Sequence, residues 1–284
     1  MTSQIKTFLL LALLSGLILF LGGALGGPGG LMVALVFALV MNVGSYWFSA
    51  KIVLSMYRAR EVGPHDAPAL HAMVAELART ANIPKPRICV IPQDAPNAFA
   101  TGRNPQNGVV AVTEGIMRLL TPEELKGVLA HEIGHIAHRD ILIQTVAGVL
   151  ASVVMFIANM LQWGALFGGM RGDDEDGPGM FGALALALVA PIAASLIQMA
   201  ISRSREYLAD DAGAQFSHNP LHLASALRKL DAYSRQLPMR GGNEATAHMF
   251  IVHPFTTSRM ASLFSTHPPI AERVARLEAM ARNR

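Results

Sequence analysis

Charge is what this sequence has least of. Asp, Glu, Lys and Arg together make up 15% of its 284 residues, against about 25% in an ordinary soluble domain. The shortfall is local. No charged residue lies between Lys6 and Lys51, over 141–170 or over 177–202. Charge-free runs of that length exclude an ordinary soluble domain and point to an integral membrane protein. Gly26-Gly27-Pro28-Gly29-Gly30 divides the first run into 7–25 and 31–50, each near the about 20 residues that a spanning helix needs. A second apolar run follows the first at once, without a clear cleavage site between them, so the first reads as a span and not as a signal peptide. Two further spans are predicted over 141–170 and 177–202.

Cysteine is almost missing. Cys89 stands alone, which excludes an internal disulfide and suits a reducing compartment. Within Ile88-Cys89-Val90-Ile91 it reads as a buried thiol and not as a nucleophile. The chain has a net charge of +3, but its basic residues are scattered and several flank apolar runs. That distribution fits an anionic membrane leaflet better than nucleic acid.

Lys6 precedes the first span, and Lys51, Arg58 and Arg60 follow the second, while the connection between them is short and uncharged. The positive-inside rule puts both ends of this pair in the cytoplasm. The loop between the later runs holds Asp173, Asp174, Glu175 and Asp176 beside the single Arg171, and Arg203 and Arg205 follow. An outward loop and a return inside fit that order.

A soluble part opens near Glu61. Asp66-Ala67-Pro68 starts a helix whose apolar positions Leu70, Met73, Val74 and Leu77 run to about Ala81. Pro84 and Pro86 stop it. Arg87–Ile91 and the stretch 108–113 read as short buried strands. Between them lies Asn97-Ala98-Phe99-Ala100-Thr101-Gly102, either a strand at a sheet edge, able to pair with an extended peptide, or a plain hairpin arm.

The chemistry begins at His131-Glu132-Ile133-Gly134-His135, an H-E-x-x-H pattern on a predicted helix. Thr121 is its N-cap, Pro122 its first residue, and Glu124 closes a capping box. Leu125, Val128, Leu129, Ile133 and Ile136 supply the helical period. His131 and His135 then stack one turn apart and reach one ion, with Glu132 beside them to take a proton from water. A catalytic zinc needs a third protein ligand. His138 lies about 10.5 Å along the helix from His131, too far to converge with it on an ion whose ligands sit about 2 Å away. The pattern H-E-x-x-H-x-x-G-x-x-H also fails, because His138 stands at the glycine and Ile141 at the last histidine. Glu206, in Ser204-Arg205-Glu206-Tyr207-Leu208-Ala209-Asp210, is the better candidate. It follows the fourth run as the motif helix precedes the third, so a membrane hairpin brings the two together. Asp210, one turn on, can accept the N–H of a ligating histidine.

His131-Glu132-x-x-His135, Glu206-x-x-x-Asp210, the stretch from Asn97 to Gly102, and Thr266-His267-Pro268-Pro269 together resemble the HtpX family of bacterial membrane zinc proteases, relatives of the CAAX prenyl endopeptidase. The resemblance covers nearly the whole chain. It implies one zinc ion per chain, an edge strand (Asn97, Ala98, Phe99) that aligns substrate, and His267 and Arg273 facing the cleft, where either could help to stabilise the oxyanion. It also implies degradation of damaged or misfolded membrane proteins, often under heat stress.

The expected fold is mainly α and integral to the membrane, with about four transmembrane helices and a cytoplasmic zincin-like α+β metalloprotease domain holding a small sheet. Residues 1–50 would be two spans, 51–140 and 201–284 the protease domain, and 141–200 a hairpin inserted between the ligands. Alternatively, the third and fourth runs form a buried core hairpin that never crosses the bilayer. The segment 236–255 either covers the cleft or is a surface loop. Expected partners are protein or peptide substrates and the lipid bilayer, with no nucleic acid. The expected location is the bacterial inner membrane, multi-pass, with the site facing the cytoplasm. A transporter would carry ionisable residues inside its spans, and these runs carry none. A zinc-stabilised scaffold without catalysis would give Glu132 no reason to lie between the ligands.

Overall fold

A computed structural model describes residues 3–147, 150, 203–236, 251 and 268–283. Most of the two later apolar runs, the acidic loop between them, most of the segment 236–255 and His267 fall outside the described residues.

Helix α1 (Ser3–Met56) is one continuous helix except at Gly27, whose φ of 55° and ψ of −144° break it just before Pro28. A positive φ is open to glycine at no cost, and proline cannot continue the helix behind it. The two arms fold back on each other: the Asn42 side-chain amide donates to Ser15 Oγ at 2.9 Å. Each arm is long and apolar enough to cross a membrane. Phe8, Phe20, Val33, Val40 and Phe48 all face outward, which suits a lipid solvent and not water.

The sheet carries the order β1 (Arg60–Glu61), β2 (Arg87–Ile91), β4 (Val109–Thr113), β3 (Ala98–Thr101). Strand β4 runs parallel to β2 and antiparallel to β3, with Ala98 opposite Val112 and Thr101 opposite Val109. β3 is therefore both a hairpin arm and the sheet's outer strand. Alternation splits its side chains. Phe99 points to the face covered by Val53 of α1 and Tyr57 just beyond it. Ala98 and Ala100 point to the other, larger core, which α2 (Pro68–Thr80) and α4 (Pro122–Ala137) help to fill. Methyl side chains there let α4 come close to the edge.

Both arms of the Thr121–Glu124 capping box form at the start of α4, an arrangement whose N-cap alone stabilises by about 1 kcal/mol. The Glu124 carboxylate also accepts from Ser225 Oγ and Lys229 Nζ, both at 2.7 Å. It thereby ties α4 to a helix that we label α6 (Pro220–Gln236). Val128, Leu129, Ile133 and Ile136 are fully buried, each contributing about 1.5–3 kcal/mol of transfer free energy.

Helix α5 (Arg203–Phe216) crosses α4 along a seam of small residues. A Cβ on Gly134 would stand 3.0 Å from that of Ala212 and 3.2 Å from the Ala209 carbonyl oxygen, and one on Gly213 would stand 3.1 Å from the His131 nitrogen. Only small residues permit backbones this close. The helix α7 (Ile270–Arg282) packs on α5 and α6, and α3 (Glu114–Leu119) links β4 to α4.

Beyond α4 the chain turns through Arg139, at a left-handed φ of 57°, and residues 141–147 are helical again. Leu142, Ile143, Val146, Ala147 and Leu150 pack against Leu14, Leu11, Met41 and Tyr46 of α1. The third apolar run thus sets out along the α1 hairpin.

Candidate metal centre

The seam between α4 and α5 brings His131, His135 and Glu206 together. All three are buried, and one ligand atom of each lies within 4.8 Å of the others. The Nε2 atoms of His131 and His135 are 3.1 Å apart. Glu206 Oε2 is 3.8 Å from the first, and its Oε1 is 3.6 Å from the second.

The far side of each ring explains why these atoms converge. His131 Nδ1 lies 3.0 Å from Asp210 Oδ1. His135 Nδ1 lies 3.2 Å from both Asp140 oxygens. A carboxylate can only accept, so each Nδ1 carries the proton, and each Nε2 turns a lone pair into the centre. Two lone pairs and a carboxylate facing one another repel unless a cation lies between them. Tetrahedral zinc with ligands at about 2.0–2.2 Å holds them about 3.3–3.5 Å apart, close to the separations found here. The donor set and its spacing fit a divalent metal.

Electrostatics point the same way. Burial depresses His131, reinforced by the Arg273 charge, although Asp210 opposes it. Burial would depress His135 too, but Asp140, Glu206 and Glu132 overcome it and push the ring up to about 10. The surroundings therefore ask for positive charge at the centre.

Glu132 sits beside His131, His135 and Glu206 at 3% exposure. Burial first, and then the Glu206 charge, push its carboxyl up to about 8, while His135 and a hydrogen bond from the Ala100 backbone pull it down. The edge strand therefore touches the acid. Asn97, at the head of that strand, accepts from the backbone N–H groups of Ala98 at 3.0 Å and Ile251 at 3.2 Å.

Arg273 of α7 has no exposed surface at all. Its Nε and Nη2 donate to the two oxygens of Asp210 at 2.9 and 2.7 Å, and Nη1 donates to the Ile251 carbonyl at 3.2 Å. Nη1 is also 3.8 Å from Glu206 Oε2. The resemblance alone put Arg273 at the cleft, and nothing in the sequence indicated this grip on Asp210. His138 is exposed at the C-terminus of α4 and takes no part in the cluster. Sequence reasoning missed Asp140. The only signal for it is an acid five residues after His135, which becomes meaningful once the chain reverses at Arg139.

Comparison with known proteins gives this arrangement its family. The model of "Peptidase family M48" matches residues 64–281. A protease HtpX homolog of Syntrophobacter fumaroxidans is 58% identical over 282 residues, which are 99% of this chain and 100% of the relative. One of Pyrococcus furiosus is 52% identical over 277 residues, 98% of this chain and 96% of its own. The crystal structure of S. mikatae Ste24p shares the fold at a TM-score of 0.54 and 18% identity, covering 96% of this chain. This chain spans 65% of that longer one. With two thirds of its length or more matched by the family and its relatives, the chain belongs to peptidase family M48 and is a membrane metalloprotease.

Proposed function

We propose that this protein hydrolyses peptide bonds in damaged or misfolded membrane proteins, using one zinc ion held by His131, His135 and Glu206. The observation that carries this is the convergence of two Nδ1-protonated imidazoles and a carboxylate beside a buried acid, Glu132, at the sheet's edge. Bound zinc would supply Lewis acidity, polarising the scissile carbonyl and making water acidic. Glu132 takes the proton of the attacking water and returns one to the leaving amine. A cation held at the centre would draw the Glu132 carboxyl down from about 8, toward the range of a working base. Strand β3 is the sheet's outer strand, no residue of it more than 2% exposed, and an extended substrate would pair with its main chain by displacing the contacts that now cover it. The Phe99 ring is committed to the opposite core, so Asn97, Ala98 and Phe99 would align substrate chiefly through backbone groups. Arg273 would act by holding Asp210 against His131, and His267 would assist at the oxyanion.

Metal content after dialysis of variants purified in detergent tests the ligand set. Glu206→Gln loses zinc, and His138→Ala keeps it. The opposite pattern would move the third ligand to His138 and overturn the assignment.

The reading also places four spans in the inner (plasma) membrane, with the site on the cytoplasmic side. Helical residues 141–147 begin six positions after His135 and lie along the α1 hairpin. Asp140, the residue just before that run, lies 3.2 Å from His135 Nδ1, so the metal would sit close to where the third run begins. Cysteine labelling, in a background with Cys89 replaced by Ala, checks the topology. A cysteine at Asp174 reacts with a membrane-impermeant reagent from outside the cell, and one at Glu123 does not. Asp174 becoming reachable only after the inner membrane is opened would leave two spans in place of four.

A further inference from the structure

The turn that ends α4 is built around its last carboxylate. The His138 N–H closes on the Gly134 carbonyl at 2.9 Å, and Arg139 on that of Ile136 at 3.1 Å. Arg139 then flips to its left-handed φ of 57°, and the Asp140 N–H returns to the His135 carbonyl at 3.2 Å. This reversal swings the Asp140 side chain, 1% exposed, back beneath the imidazole of His135. Non-glycine residues occupy that backbone region only where the surroundings demand it.

Asp140 also begins the next helix, since its carbonyl accepts from the Gln144 N–H at 3.3 Å. A helix-starting Asp usually turns its carboxylate onto the first free N–H groups of its own helix. Here both oxygens lie 3.2 Å from His135 Nδ1. Asp140 stands on the Nδ1 side of the ring, opposite the side where Nε2 meets His131 and Glu206, so it is not itself a ligand.

We propose that Asp140 is a positioning residue for the peptidase reaction: from the position just before the third apolar run, it fixes the tautomer and aim of His135. The proposal rests on the reading of His131, His135 and Glu206 as the metal site. Asp210 does for His131 what Asp140 does for His135, so each histidine has its own buried carboxylate. Asp210 comes from the soluble helix that also supplies Glu206. Asp140 comes from the chain entering the membrane-facing helix, and one ligand's orientation therefore depends on where that helix begins.

Two variants of the full chain in detergent separate this role from helix capping. Asp140→Ser keeps a good N-cap but cannot reach His135, and Asp140→Asn keeps an acceptor without the charge. Zinc affinity is read by competition with a chromophoric chelator, and thermal unfolding is followed on the metal-free protein. Asp140→Ser is expected to bind zinc about 10–100-fold more weakly, with the metal-free melting temperature unchanged, and Asp140→Asn is expected to recover part of the loss. Wild-type zinc affinity in Asp140→Ser overturns the proposal, as does a metal-free protein that melts as early as its affinity is poor. Glu206→Gln run alongside keeps the two claims apart. If it loses zinc while Asp140→Ser does not, only the role of Asp140 falls. If it binds zinc like the wild type, the metal site itself is misassigned and the proposal falls with it.

Discussion

Glu132→Gln is expected to keep the metal and lose the reaction. Glutamine matches glutamate in size and can still accept the Ala100 hydrogen bond that helps to hold the side chain. It cannot take up a proton and pass one on. General acid–base catalysis of this kind is worth about 10²–10⁴-fold, so cleavage of an unfolded protein such as casein falls by that factor, while metal analysis of the same preparation still finds one ion per chain. A zinc chelator should silence the wild type by a separate route. Without a cation at the centre, burial pushes the carboxyl up to about 8 and favours its protonated form at neutral pH, so the Lewis acid is gone and the base is weakened. Wild-type cleavage by Glu132→Gln would exclude this residue from the reaction.

The largest expected effect on stability is at Arg273. Its guanidinium grips both oxygens of Asp210, and neither side chain is exposed. Arg273→Met removes the cation and leaves Asp210 and Glu206 as neighbouring buried acids. Breaking one side of a buried pair costs about 3–5 kcal/mol, to be read as an earlier thermal unfolding midpoint in detergent. Arg273→Met combined with Asp210→Ala removes both charges and should recover most of that midpoint, since an apolar replacement of the whole pair is close to neutral. It should not recover zinc affinity, because His131 Nδ1 has lost its acceptor. A single variant as stable as the wild type would mean that the pair contributes nothing net.

The same pair sets an acid limit. Burial pushes the Asp210 carboxyl up, but Arg273 and His131 overcome it and bring it down to about 2, whereas an unfolded Asp titrates near about 3.9. The unfolded chain takes up this proton first as pH falls. The stabilisation is therefore complete above about pH 4 and is lost on the way down to about 2.

Much of the framework could be read from local patterns. The break at Gly27-Pro28, the Thr121–Glu124 cap and the strand Arg87–Ile91 each rest on interactions within a few residues, and such interactions leave a periodic or compositional trace. β3 was legible as a strand but not as an edge. That depends on β4 inserting between β2 and β3, a pairing decided by which faces can be buried. The two-residue strand Arg60–Glu61 is too short to show any alternation. The motif His131-Glu132-x-x-His135 announces its own chemistry because one helix carries it. Glu206 could be argued only by supposing that two distant chain segments return to the same level. Asp140 and the grip of Arg273 were invisible for a different reason. One needs a left-handed residue where no glycine advertises it, and the other needs α7 to bury an arginine among acids. Neither event alters the hydrophobic pattern from which helices and strands are read.

The small-residue seam between α4 and α5 acts as a gauge block. His131 and His135 ride on one helix and Glu206 on the other, so the separation of the two backbones fixes the span of the ligand atoms. Where Gly213 faces the His131 nitrogen, an added Cβ would stand at 3.1 Å. Such a contact is relieved only by moving the helices apart by tenths of an ångström, and the ligand atoms move with them. A methyl group in most cores disturbs packing locally. Along this seam it would change the calibre of the opening between the jaws, and a metal held there by His131, His135 and Glu206 would have little tolerance for that. On the proposed ligand set, the glycines at this crossing would be held to a machining tolerance set by coordination chemistry as well as by the volume of the core.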